Sequence, residues 1–78
     1  MRAIITVTES RSMRDRFTVQ SSANKDRRGV IRAADVRGAD AAAAQALEYA
    51  LRVGAVGYAI VAPACVNAHI PEDMRSRA

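Results

Sequence analysis

Residues 40–54 read DAAAAQALEYALRVG, and the fold follows from them. Asp40 opens the stretch, where a carboxylate accepts the free amide hydrogens of a first helical turn and faces the positive end of the helix dipole. Ala41 to Ala46 contains five alanines and Gln45, all compatible with helix, and Gly54 stands where a left-handed closing residue is wanted. The expected helix therefore spans residues 41 to 53. Ala43, Ala44, Leu47, Ala50 and Leu51 recur at helical spacing as one apolar stripe, with Gln45, Glu48 and Arg52 on the other side. Glu48 precedes Arg52 by one turn, a pair worth roughly 0.2–0.5 kcal/mol on a wet face. A stripe made mostly of alanine lets the helix lie close to what it covers, but it is too small to build a core with another helix alone. Its expected partner is a sheet.

The segments before the helix supply that sheet. Arg2 to Thr8 sets Ala3, Ile5 and Val7 against Ile4, Thr6 and Thr8, with a run of β-branched residues, and is the first strand. Glu9 to Asp15 is a polar connection. Phe17, Val19 and Ser21 then alternate with Arg16, Thr18 and Gln20, the half-buried pattern of an antiparallel second strand. Ser22 to Gly29 has the composition of an exposed hairpin tip, and Val30 to Val36 resumes as a third strand, in which Arg32 marks its own face as wet.

After the helix, Tyr58 to Ala62 is apolar on both faces and reads as an interior fourth strand. Pro63 interrupts it, and the alternation of Val66, Ala68 and Ile70 offers a fifth, edge strand over residues 65–70. The expected class is α+β: a small mixed sheet in the order β-β-β-α-β, covered on one face by a single helix, with spatial order 4-1-2-3 and the fourth strand parallel to the third. Residues 1–70 form the domain and residues 71–78, which lack apolar periodicity, a flexible tail.

A chain of 78 residues supports one domain, and at this size only about 60% of the chain's surface is buried on folding. Half of the residues are hydrophobic, but many are alanine, and the aromatics are Phe17, Tyr49 and Tyr58 alone. So thin a core favours completion by a copy of itself or by a partner, and both monomer and homodimer stay open. The single Cys65 rules out an internal disulfide, the N-terminus lacks the apolar stretch of a secretory signal, and the run from Val53 to Val66 is too short to span a bilayer. The expectation is an intracellular protein with no membrane segment.

Enzymatic signatures are missing from the sequence. Cys65 and His69 have no further cysteine or histidine to complete a zinc site, and on a strand they would lie roughly 13 Å apart, too far for a nucleophile and its base. A buried thiol and a surface imidazole are expected instead. No glycine-rich phosphate loop occurs, and Asp15, Asp26 and Asp35 each neighbour an arginine, which fits moderation of a basic surface better than acid–base work. No catalytic residue, metal ligand or cofactor is expected.

The charge is informative. Residues 1–37 carry nine basic and four acidic side chains, a balance of +5, whereas residues 38–74 carry one basic and four acidic, a balance of −3. Arg11, Arg14 and Arg16 from the first connection, Lys25, Arg27 and Arg28 from the hairpin tip, and Arg32 and Arg37 from the third strand form the candidate partner-binding patch. Such residues also make an ordinary solvated surface. As a site, they fit an acidic partner, either nucleic acid backbone or protein. Stacking on bases is disfavoured, because Phe17 is the sole aromatic of the first three strands and the core needs it.

The segments MRAIITVTES, RFTVQSSA, IRAADVRGADAAAAQALEYAL and GYAIVAPACV together resemble phage-encoded anti-CRISPR proteins, which are similarly small and often place one helix on a short antiparallel sheet. The resemblance implies a non-enzymatic inhibitor, acting in the bacterial host cytoplasm, that docks on a type I Cascade surveillance complex and blocks target DNA. Many members of that group are acidic DNA mimics. This chain is basic, so it would contact acidic protein surface or the nucleic acid itself. The alternative is a small DNA- or RNA-binding accessory protein that uses its basic loops on phosphates.

Overall fold

The computed structural model describes residues 2–53 and 57–77. The alternation at the N-terminus forms β1 (Ala3–Glu9), with Ala3, Ile5 and Val7 buried and Ile4 on the opposite face 41% exposed. β2 (Arg16–Ser21) pairs with it antiparallel, Val7 opposite Val19 and Glu9 opposite Phe17. β3 (Ala34–Arg37) pairs antiparallel with β2, and β4 (Tyr58–Val61) lies on the other side of β1 and parallel to it, Ile5 opposite Ile60. The sheet order is β3-β2-β1-β4-β5. Its first four strands, taken from the other edge, follow the expected 4-1-2-3. The fifth strand differs from expectation in both sequence position and composition.

Helix α1 (Ala39–Val53) covers one face of this sheet. At 1.5 Å per residue it runs about 22 Å, the length of β1. Two details differ from the sequence reading. Asp40 is not the cap: the Gly38 carbonyl accepts the Ala42 amide at 3.0 Å, and Asp40 lies inside the first turn, where its charge still meets the helix dipole. Gly38 has φ +94°, and a β-carbon there would stand 2.8 Å from Asp40 Oδ1, so glycine suits both the backbone and the space. Gly54 lies outside the described residues.

The buried stripe is also rotated. Ala42, Ala43, Ala46, Tyr49 and Ala50 face the sheet, Ala44 is exposed, Leu47 is half-buried and Leu51 is 75% exposed. The reason is volume. Phe17, Ile5, Val7 and Val19 fill the space from the sheet side, so the facing helix surface has to be small, and the leucines are left on its shoulder. On the wet side Arg52 donates to Glu48 at 2.7 Å, the expected pair.

Two further expectations are corrected. Residues 30–33 are not part of the third strand, which is confined to Ala34–Arg37; they belong to an arm described below. Residues 65–70 are not an edge strand. The Pro63 carbonyl accepts the Val66 and Asn67 amides at 3.0 Å and winds the chain into a short second helix, α2 (Ala64–Asn67). Val66 and Ile70 are both buried, and their spacing of four fits one side of a helical turn as well as one face of a strand.

The edge position goes to β5 (Ser76–Arg77), antiparallel to β4, within the segment read as a flexible tail. A 3-10 turn at Glu72–Met74 leads into it. Tyr58 Oη donates to the Met74 carbonyl at 2.9 Å, and Arg75 Nη2 to the Asn67 carbonyl at 2.9 Å.

The molecule is a two-layer slab of 33 × 32 × 14 Å, and the sheet face away from α1 presents Ile4, Thr6, Thr8, Thr18, Gln20 and Val61 to the outside. Ala46, fully buried against the sheet, and Ala44, exposed on the opposite side of the helix, test the helix orientation. Ala46→Asp should lower stability by roughly 2–5 kcal/mol in thermal or urea melts, and Ala44→Asp by no more than about 1 kcal/mol, the loss of helix propensity alone.

Candidate functional site

Between β2 and β3 the chain leaves the sheet as an arm, residues 22–33, built by backbone hydrogen bonds. At its base the Ile4 amide donates to Ser22 Oγ at 2.9 Å, and the buried Ser21 Oγ accepts the Ala23 amide at 3.2 Å. The Arg32 amide then donates to the Asn24 carbonyl at 3.0 Å, Asn24 Nδ2 returns a bond to the Arg32 carbonyl at 3.3 Å, and Lys25 bridges Ile31 antiparallel. The pairing partner of residues 30–32 is thus residues 24–26, not β2, which is why the third strand is short.

The tip is the segment Asp26-Arg27-Arg28-Gly29-Val30. The Gly29 amide donates to the Asp26 carbonyl at 3.0 Å and the Asp26 amide to the Val30 carbonyl at 2.9 Å, with Gly29 at φ +81°. That is a tight turn followed by a left-handed glycine, a common way to close a short hairpin. Asp26 fastens it, since its Oδ1 accepts the amides of Arg28 at 2.8 Å and Val30 at 3.0 Å. Arg27 and Arg28 occupy the two corner positions of the turn, which point away from the body. The Arg28 side chain is 87% exposed, and its guanidinium lies 3.9 Å from Asp26 Oδ2.

The eight candidate residues do not form one patch. Lys25, Arg27, Arg28 and Arg32 gather on the arm around Asp26 and line an open depression of about 520 Å³. Arg16 and Arg37 stand opposite each other at the far end of the β2–β3 pair. Arg11 and Arg14 lie on the exposed β1–β2 connection at that same end, where the Ser10 amide donates to the Arg16 carbonyl and the Gly38 amide to the Asp15 carbonyl. The length of β2, about 17–20 Å, separates the two groups. Glu9, Asp15, Asp35 and Asp40 accompany the second group in sequence and offset it, whereas the arm sets four cations against one carboxylate.

The arm therefore carries the concentrated positive charge, held on a braced frame. Sequence reasoning missed two of its members. Val30, 56% exposed, and Ile31, 38% exposed, add apolar surface beside the cations. The signal available was the Asp26-x-x-Gly29 pattern, whose acid and glycine define a turn and so take Val30 and Ile31 out of β2's reach.

Cys65 is exposed, not buried as expected, because it lies on the outer side of α2 rather than in a strand; His69 is exposed too. Among the described residues, no three His, Cys, Asp or Glu side chains gather as a metal site, and no helix is long and apolar enough to cross a membrane. The sequence matches no family model, and no curated protein matches it.

Because Asp26 fastens the tip and lies outside the hydrophobic core, Asp26→Ala should leave the melting temperature within a few degrees of the parent. It should speed hydrogen exchange at the Arg28 and Val30 amides by roughly tenfold, a local loosening of about 1 kcal/mol read by NMR.

Proposed function

We propose that this chain is a non-enzymatic binding protein that docks its basic arm on an acidic partner. The observation that carries the reading is the arm tip, where four cations surround one carboxylate on a hairpin whose backbone is already ordered. Preorganisation matters here, because side chains presented by a fixed turn lose less freedom on binding than the same charges on a loose loop. Arginine's planar donors match carboxylates and phosphates equally well, so the chemistry names an anion before it names a molecule.

In the form implied by the anti-CRISPR resemblance, the partner is an acidic protein surface on a type I surveillance complex, and target DNA is blocked once the arm is seated. Val30 and Ile31 support a protein partner, since apolar contacts beside the cations have more use against a protein surface than against phosphates. The second reading, phosphate contact with DNA or RNA, draws on the depression that the same four cations line.

The two readings separate on a sizing column. The purified chain is mixed with type I surveillance complexes in one series and with duplex DNA in another. Co-elution with a complex supports the first reading, and co-elution with DNA alone transfers the function to the second.

Arg27→Glu combined with Arg28→Glu should leave the melting temperature nearly unchanged and weaken partner binding at low salt by about tenfold or more, mostly through the association rate. Arg11→Glu with Arg14→Glu, at the far end of the sheet, serves as the control and should change affinity by less than about threefold. Full affinity in the arm double variant would remove the arm from the interface.

A further inference from the structure

The chain's single cysteine and single histidine are brought together by a change of secondary structure. On a strand Cys65 and His69 would lie roughly 13 Å apart, but residues 64–70 are wound into α2 and the turn that continues it. The Ala68 amide donates to the Ala64 carbonyl, the His69 amide to Val66 and the Ile70 amide to Asn67, each at 3.0 Å. Val66 and Ile70, 0% and 2% exposed, show that side chains four residues apart face the same way across this turn. Cys65 and His69 have the same spacing and stand immediately before that pair, so they too share a side, and both are exposed. Helical neighbours four apart have β-carbons about 5–6 Å from each other, close enough for a thiolate and an imidazole to meet on one ion.

We propose that Cys65 and His69 together bind a single Cu(I) ion. The donor types are the first reason. Thiolate is a soft ligand that selects copper in its reduced state, and imidazole suits copper as well.

The number of donors is the second. Among the described residues no three His, Cys, Asp or Glu side chains gather, so the turn offers a pair and no more. Zinc is held by three or four protein ligands, whereas Cu(I), a soft closed-shell ion, is satisfied by two donors on opposite sides. The third reason is rigidity. Val66 and Ile70 anchor the inner side of the turn in the core. Asn67 Nδ2 donates to the Ala62 carbonyl at 3.1 Å, and Arg75 Nη2 donates to the Asn67 carbonyl at 2.9 Å, which ties the turn to the end of β4 and to the C-terminal segment. The backbone between the two donors is therefore ordered before the ion arrives, and binding costs little beyond fixing two side chains.

As the Cu–S bond forms, the thiol proton passes to solvent and the copper keeps its oxidation state. The pair follows β4 on one side of β1, and the arm leaves from β2 on the other side. Copper binding is thus independent of the arm and of its partner.

The test is an anaerobic titration of the purified, reduced full chain with Cu(I) against bicinchoninate, a coloured chelator that competes for the ion, with circular dichroism on every variant. The parent should take up one Cu(I) per chain, and X-ray absorption should show one sulfur and one nitrogen donor. Cys65→Ser and His69→Ala, both at exposed positions that leave the core untouched, should each weaken binding by about tenfold or more. His69→Cys, which returns a soft donor to the same position, should restore it. A parent that binds no better than Cys65→Ser would overturn the proposal. So would His69→Ala binding as tightly as the parent, since the thiol alone would then hold the ion. Uptake of one ion per two chains, or tighter binding of Zn(II) when it is titrated against a zinc chelator, would overturn the two-donor Cu(I) assignment.

Discussion

The close approach of α1 to the sheet is the contact on which the other elements depend. Ala42, Ala43, Ala46 and Ala50 are at most 3% exposed, and they meet Ile5, Val7, Phe17 and Val19, at most 4% exposed. A helix surface of methyl groups against a sheet surface of branched and aromatic side chains gives a dry layer from few large residues, which is how a chain with a single phenylalanine forms a core. The same contact positions both strands that the helix joins. Gly38 turns β3 directly into α1, and the helix returns the chain so that β4 enters beside β1 and parallel to it. Val66 and Ile70 from the α2 region then close the end of the layer.

Much of this architecture was legible because period and burial agreed. Ala3, Ile5 and Val7 and then Phe17, Val19 and Ser21 alternate strictly and face inward without exception. The α1 stripe was legible as a helix but misread in orientation, because alanine and leucine count alike as apolar in a pattern while only alanine fits against a full sheet face. Residues 65–70 failed for a different reason. Val66 and Ile70 satisfy both the period of a strand and that of a helical turn, and Pro63, taken as a strand breaker, initiates the turn. β5 has two residues, which is too short to leave any period.

For the candidate site, residue types were legible and their grouping was not. Eight basic positions near one another in sequence look like one patch until strand length is considered, since a six-residue β2 carries Arg16 to one end of the sheet and Lys25 to the other. The arm itself depends on the side chain of Asp26 and the left-handed backbone of Gly29. Once those two define the turn, Ile31 is committed to Lys25, and the charged tip follows as geometry rather than composition.

The place of β1 in the sheet has a consequence for the chain while it is being made. β1 is a central strand, with β2 on one edge and β4 on the other. β2 emerges almost at once, but β4 ends at Val61, and at ribosomal rates of about 5–20 residues per second that edge waits roughly 3–10 s for its neighbour. During that interval the unpaired backbone of β1 is an open template for any other strand nearby, including the same segment on an adjacent nascent chain. The hazard in this fold is therefore one of timing. It falls on the nascent polypeptide between β1 and β4, and the arrival of β4 ends it.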